Sequence, residues 1–355
     1  MSSPDPLPRY DSRQSYQWNY DHAPEPVAIE VPAVPGSWRY CGREVGSPLG
    51  VPAGPLLNGG WCLYYASLGF DVLTYKTVRG TERPCYPLPN LQPVACPSQL
   101  SGDETSLPTA AAMTGTWAVS FGMPSMSPDV WRADVEQTRR RLPTEKVLSV
   151  SVVGSVQPEW TLDNLADDYA LSARWAAECG ADCIEVNFSC PNVSTCDGQL
   201  YQQPRDAAVV AARVRDAIHV PLIVKIGRLA SREEAAELVD ALAPVVDALA
   251  MTNSIATCVR GGDGRLLFDG QRRGICGDAI RAASIEQTRM VREVIAKRGA
   301  ALALIGVGGA STAQHVREYL AAGASAVHLA TAAMVDPGIA IAIRRDLARA
   351  HSPAR

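Results

Sequence analysis

Short apolar runs rich in β-branched residues alternate along this chain with longer stretches whose apolar positions recur at helical spacing. Residues 72–76, 117–121, 147–153, 183–187, 222–226, 248–252, 301–306 and 326–330 read as strands buried on both faces. Residues 128–141, 162–180, 204–218, 232–243, 280–298 and 312–322 read as helices between them. In 162–180, for example, Leu165, Tyr169, Ala173 and Ala176 fall on one helical face. Gly180, Gly299 and Gly323 follow three of these helices, where a left-handed residue ends a helix at no steric cost to glycine. About eight strand–helix units are the pattern of a (β/α)8 TIM barrel. A doubly wound open sheet is the alternative, because periodicity alone does not close a sheet.

Residues 1–46 break this alternation. Pro4, Pro6, Pro8, Pro24, Pro26, Pro32 and Pro35 stand among tyrosines and tryptophans. Proline fixes φ and removes a backbone donor, so this segment reads as an extended arm wrapping a barrel that occupies 47–355.

Composition changes the picture little. The 355 residues, 47% hydrophobic and 20% charged, suit one large barrel with a leader, or two smaller domains. A net charge of −4 gives no electrostatic reason to expect nucleic acid as a partner. No apolar run is long enough to span a bilayer, and the N-terminus lacks the basic and apolar regions of a signal peptide. Ten cysteines occur without a Cys-x-x-Cys pair, which predicts no zinc or iron–sulfur site. Their scatter suits a reducing cytoplasm better than a disulfide framework.

The barrel reading demands that functional residues sit at strand C-terminal ends. Lys76, Asn187, Lys225, Asn253 and Gly306 all do. The richest end is Glu185-Val186-Asn187-Phe188-Ser189-Cys190-Pro191-Asn192. Its two amides suit a planar polar substrate, its thiol can move a proton, and Pro191 stops the strand. Three glycine-containing segments could serve a phosphate: Gly274-Ile275-Cys276-Gly277, Ile305-Gly306-Val307-Gly308-Gly309 and Ala330-Thr331. None has the Gly-x-Gly-x-x-Gly context of a dinucleotide site.

Together these segments resemble the dihydroorotate dehydrogenase family over residues 47 to about 336, with Asn-x-Ser-Cys-Pro-Asn the most specific part. The resemblance implies an FMN enzyme that moves a hydride between flavin N5 and a dihydropyrimidine-like ring, dihydroorotate/orotate being the leading substrate. It implies two catalytic residues: Cys190 for proton transfer, since cysteine there marks the soluble branch, and Lys76 beside flavin and substrate. Asn187, Asn192, Asn253, Ser254, Gly122 and Met123 would bind the substrate. Ala53, Gly54, Lys76, Thr77, Ser151, Asn187, Lys225, Asn253, Gly277, Gly308, Gly309, Ala330 and Thr331 would bind the cofactor. Lys225 would lie at the N1–C2=O edge of the flavin, where an ammonium favours the reduced form. Relatives commonly pair as homodimers, and the prolines of the arm argue against the apolar helix of membrane-associated relatives.

One segment departs from the pattern. Where the family commonly has Asn-Ser-Met-Gly-Leu-Pro-Asn, this chain has Val119-Ser120-Phe121-Gly122-Met123-Pro124-Ser125. Losing two polar anchors to a charged group costs about 1.5–3 kcal/mol for each hydrogen bond, enough to change substrate preference. A homologue acting on the CH–CH bond of another pyrimidine or a specialised metabolite, as dehydrogenase or reductase, is therefore the second expectation. From another class, a phosphate-binding lyase or isomerase barrel without flavin is the third.

Overall fold

The structure, a computed structural model, describes residues 6–113, 115–189 and 196–349, without the side chains of 196–198. Eight parallel strands close into a barrel. In chain order they are β1 Leu49–Val51, β2 Val72–Val78, β3 Val147–Val152, β4 Cys183–Asn187, β5 Leu222–Lys225, β6 Ala248–Met251, β7 Ala303–Val307 and β8 Ala326–His328. The helices that follow them are α1 Gly59–Ser67, α2 Pro128–Arg141, α3 Leu162–Glu178, α4 Pro204–Ala217, α5 Arg232–Leu242, α6 Arg281–Arg298, α7 Ala313–Ala321 and α8 Ile339–Arg349. This is the expected (β/α)8 barrel.

Local chemistry sets the boundaries. Thr161 caps α3 in a reciprocal box with Asn164, and Leu165, Tyr169, Ala173 and Ala176 turn inward from it. Gly180 then takes φ +91°, which lets the chain reverse into β4. Every residue of β2, β3 and β4 is buried, as strands covered by helices outside and packed side chains inside must be.

The expected strand at 117–121 is not part of the barrel. Thr116–Val119 pairs antiparallel with Leu91–Pro93 and Arg273–Gly277 in a separate five-stranded sheet, which Ile255–Arg260 and Ser106–Pro108 complete. That sheet is built from the β2–α2 and β6–α6 connections, so it rises from the C-terminal mouth. The barrel strand that the pattern passes over is β1, three residues between Pro48 and Pro52, too short to display a period. Lys76 therefore lies near the C-terminal end of the second barrel strand, not of the first.

The arm is extended only in part. Tyr16–Asp21 forms a helical turn capped by Ser15, and Trp38–Tyr40 pairs with Arg43–Val45 as a hairpin. At the mouth, the rings of Tyr10 and Tyr16 each meet Phe121 edge-on, at 5.9 Å. Along α1, Trp61 Nε1 donates to Asn19 O at 2.9 Å, and Tyr64 OH to Pro8 O at 2.7 Å. At the opposite end Tyr40 is wholly buried among Val72, Val147, Cys183, Ile223 and Ala326, the first inward residues of the strands. The hairpin thus plugs the barrel floor.

Candidate active site

Four strand ends bring the expected polar residues to one mouth. Lys76 is 6% exposed, its ammonium 4.8 Å from the Phe121 ring centre and 5.6 Å from that of Tyr16. Thr77 Oγ1 and Ser151 Oγ share a hydrogen bond of 3.0 Å between β2 and β3. Asn187 and Lys225 are register partners on β4 and β5. Asn187 Oδ1 accepts from Ser189 N–H at 3.1 Å, and its Nδ2 lies 3.8 Å from Met123 Sδ. Tyr169 OH donates to Asn187 O at 3.1 Å, which fixes the strand end against α3. Asn253 donates from Nδ2 to the Ser189 carbonyl. Ser189 Oγ is buried without a hydrogen-bond partner among the described residues. Ser189, Asn253 and Ser254 line a cavity of about 250 Å³ whose outer wall includes Arg228 and Arg272.

Gly122 and Met123 both adopt left-handed backbone, φ +74° and +54°. A Cβ at Gly122 would stand 2.6 Å from the Tyr86 ring, so only glycine fits that turn. Arg79, buried behind it, donates to Met123 O at 3.3 Å and to Gly154 O at 2.6 Å. The departures noted in the sequence are real in space. Ser125 Oγ accepts from Arg79 N–H at 3.1 Å and donates to Met126 O at 2.8 Å, so the loop itself engages it. Val119 is aliphatic and pairs with Gly274 across the sheet.

Beside the mouth lies a second cavity, of about 170 Å³, lined by Gly115, Gly277, Asp278, Gly309, Ala330 and Thr331 among others. Gly277, Gly308 and Gly309 have φ of +100°, +125° and +74°. Thr331 Oγ1 is buried there without a partner among the described residues. Close backbone and a free hydroxyl suit a phosphate. The carboxylate of Asp278 is 3.1 Å from Arg281 Nη1, which offsets its charge. Gly54, after β1 and next to buried Ala53, has open space where a side chain would project. The residues present therefore fit a phosphate-bearing cofactor.

Cys190 and Asn192 lie outside the described residues. Cys85, the thiol electrostatically coupled to Lys76, is pushed up to about 11 by burial, with Lys76 pulling the other way.

Three site residues were given no role of their own from the sequence: Ser189, Glu185 and His328. Glu185 Oε1 lies 3.8 Å from Lys225 Nζ inside the barrel. A signal existed, since Glu185 stands two residues before Asn187 and strand alternation puts both on the inner face.

A closed (β/α)8 barrel with lysines and amides at its mouth and a glycine-lined cavity alongside defines a TIM-barrel protein with a polar candidate site. Comparison with known proteins gives the family. The sequence model of the dihydroorotate dehydrogenase family matches residues 102–350, and the chain belongs to that family. It is accordingly a flavin-dependent oxidoreductase acting on CH–CH bonds. A dihydroorotate dehydrogenase of Dictyostelium discoideum is 29% identical over 96% of this chain and 98% of its own length. The catalytic subunit of dihydroorotate dehydrogenase B (NAD(+)) from Desulforudis audaxviator is 32% identical over 58% of this chain and 64% of that protein. Among solved structures, a dihydroorotate dehydrogenase of Eimeria tenella in complex with ferulenol superposes with a TM-score of 0.74 at 20% identity, covering 93% of this chain and 88% of that one. At that identity the superposition speaks for the fold. Among the described residues, no helix is long and apolar enough to cross a membrane.

Proposed function

We propose that this protein binds FMN and oxidises dihydroorotate, with Cys190 as the proton acceptor. The observation that carries the reading is the gathering of Lys76, Asn187, Lys225 and Asn253 at four strand ends beside the glycine cradle. Gly277, Gly308, Gly309, Ala330 and Thr331 hold the phosphate. Ala53, Gly54, Thr77 and Ser151 line the way to the barrel axis, where Lys76, Lys225, Asn187 and Asn253 meet the ring system. When bound, FMN supplies a two-electron acceptor for the hydride that leaves the substrate.

The chain's own residues do the rest. Asn187, Asn192, Asn253 and Ser254 present amides and a hydroxyl that match the donors and acceptors of a pyrimidine ring. The backbone at Gly122 and Met123 receives the carboxylate. The aromatic wall of Tyr16 and Phe121 around Lys76 keeps water away from that ammonium and strengthens its field. Cys190 takes a proton from one ring carbon while hydride leaves its neighbour. A thiol with an ordinary pKa near 8.5 serves this step better as pH rises.

The test is the visible spectrum of the purified protein before and after anaerobic addition of dihydroorotate. Flavin bands that bleach are the expected result. A protein that is colourless and takes up no added FMN refutes the reading.

The second reading, a related CH–CH substrate, is favoured by one observation. Val119 and Ser125 offer no free amide where the family pattern has two, and Ser125 is committed to Arg79 and Met126. Flavin bands that persist with dihydroorotate but bleach with another dihydropyrimidine would select it.

A further inference from the structure

The barrel interior beneath the mouth carries several polar side chains among apolar ones. Thr74, Ser149, Glu185, Lys225 and His328 share the inward strand face, where barrels of this class usually pack branched apolar side chains. Lys225 and Glu185 are both nearly inaccessible, at 5% and 1% side-chain exposure, with Nζ and Oε1 3.8 Å apart. Oε1 has no hydrogen-bond partner among the described residues, so the lysine is the cation this oxygen faces. The floor below is closed by Tyr40, whose ring stacks on His328 at 5.7 Å. Burial, helped by the charge of Lys225, holds His328 down to about 3, so the imidazole is neutral and adds no second cation.

We infer that Glu185 is a positioning residue that acts through Lys225: its carboxylate offsets the ammonium charge and holds down the reduction potential of the flavin. The inference rests on the proposed placing of Lys225 beside that flavin. Reduction adds negative charge to the ring system, which a lone buried ammonium favours strongly and a neutralised one favours less. In a buried setting the offset is weakly screened, so one charge suffices to move the equilibrium.

The experiment is a dye-equilibrated anaerobic redox titration of the flavin-loaded enzyme, wild type against Glu185→Gln, which keeps shape and removes charge. The expected result is a rise in midpoint potential equivalent to roughly tenfold in the reduction equilibrium, about 30 mV for two electrons. Glu185→Asp withdraws the carboxylate by one methylene and shifts the potential the same way by less. Thr74→Val, an uncharged change on the same inner face, leaves the potential in place whatever it does to stability. An unmoved or lowered potential in folded Glu185→Gln overturns the inference, as does an equal rise in Thr74→Val. If the Gln variant fails to fold, the Asp variant decides by the same criterion. A wild-type chain that takes up no flavin sinks the functional reading and this inference with it, whereas a loaded wild type with unmoved variants sinks this inference alone.

Discussion

Gly277 is the most exacting position of the phosphate cradle. Its φ of +100° lies where side-chain-bearing residues are strained, at about 1–3 kcal/mol. A Cβ there would stand 2.1 Å from the Gly115 carbonyl oxygen, so the two strands must separate by about 1 Å to restore a tolerable contact. That carbonyl cannot swing aside freely, because it accepts the Asp278 N–H at 2.9 Å. Losing this bond adds about 1 kcal/mol. Gly277→Ala is therefore expected to cost roughly 2–4 kcal/mol, concentrated at the cradle. Flavin should bind at least about tenfold more weakly, since 1.4 kcal/mol suffices for a factor of ten. The assay is reconstitution of apoprotein followed by flavin fluorescence, with urea unfolding in parallel. Gly262→Ala is the control, because nothing lies within 4 Å of that position and its φ is not left-handed. Wild-type flavin affinity in Gly277→Ala would refute the placement of the phosphate.

Three further outcomes follow from the same physics. Cys190→Ala should keep its flavin spectrum yet lose most turnover; full activity in stopped-flow reduction by dihydroorotate would remove the thiol from the mechanism. His328 has its folded pKa depressed to about 3 from the ordinary 6.5, so the unfolded chain takes up the proton first as pH falls. Its contribution is thus complete above about pH 6.5 and drains below it, by up to about 1.4 kcal/mol per pH unit, and His328→Gln should flatten the acid limb of a urea-stability profile. Arg344, buried on α8, donates to Gly69 O at 2.7 Å, Pro32 O at 2.8 Å and Ser47 Oγ at 3.1 Å, and pairs with Asp71. Arg344→Met breaks this junction of arm, barrel and last helix and should cost about 3–5 kcal/mol in chemical unfolding; a loss below about 1 kcal/mol would show the arm to be held elsewhere.

By itself the sequence determined seven of the eight barrel strands and most of the mouth, while closure of the sheet stayed open. Parallel strands buried on both faces must be apolar throughout, and a helix needs an apolar stripe, so β2 to β8 and six of the helices were written in the pattern. The strand ends carrying Lys76, Asn187, Lys225 and Asn253 were readable because each polar residue interrupts or ends an apolar run. Tertiary structure decided the rest. β1 is three residues long, and its strand character comes from pairing with β2 and β8, partners remote in the chain. Thr116–Val119 has strand character too, but only its partners Leu91–Pro93 and Arg273–Gly277 assign it to the outer sheet. The pairing of Glu185 with Lys225 was equally hidden. Each residue alone is a charge in a strand; pairing of β4 with β5, with Asn187 opposite Lys225, puts both on the inner face and brings them to 3.8 Å in the buried barrel interior.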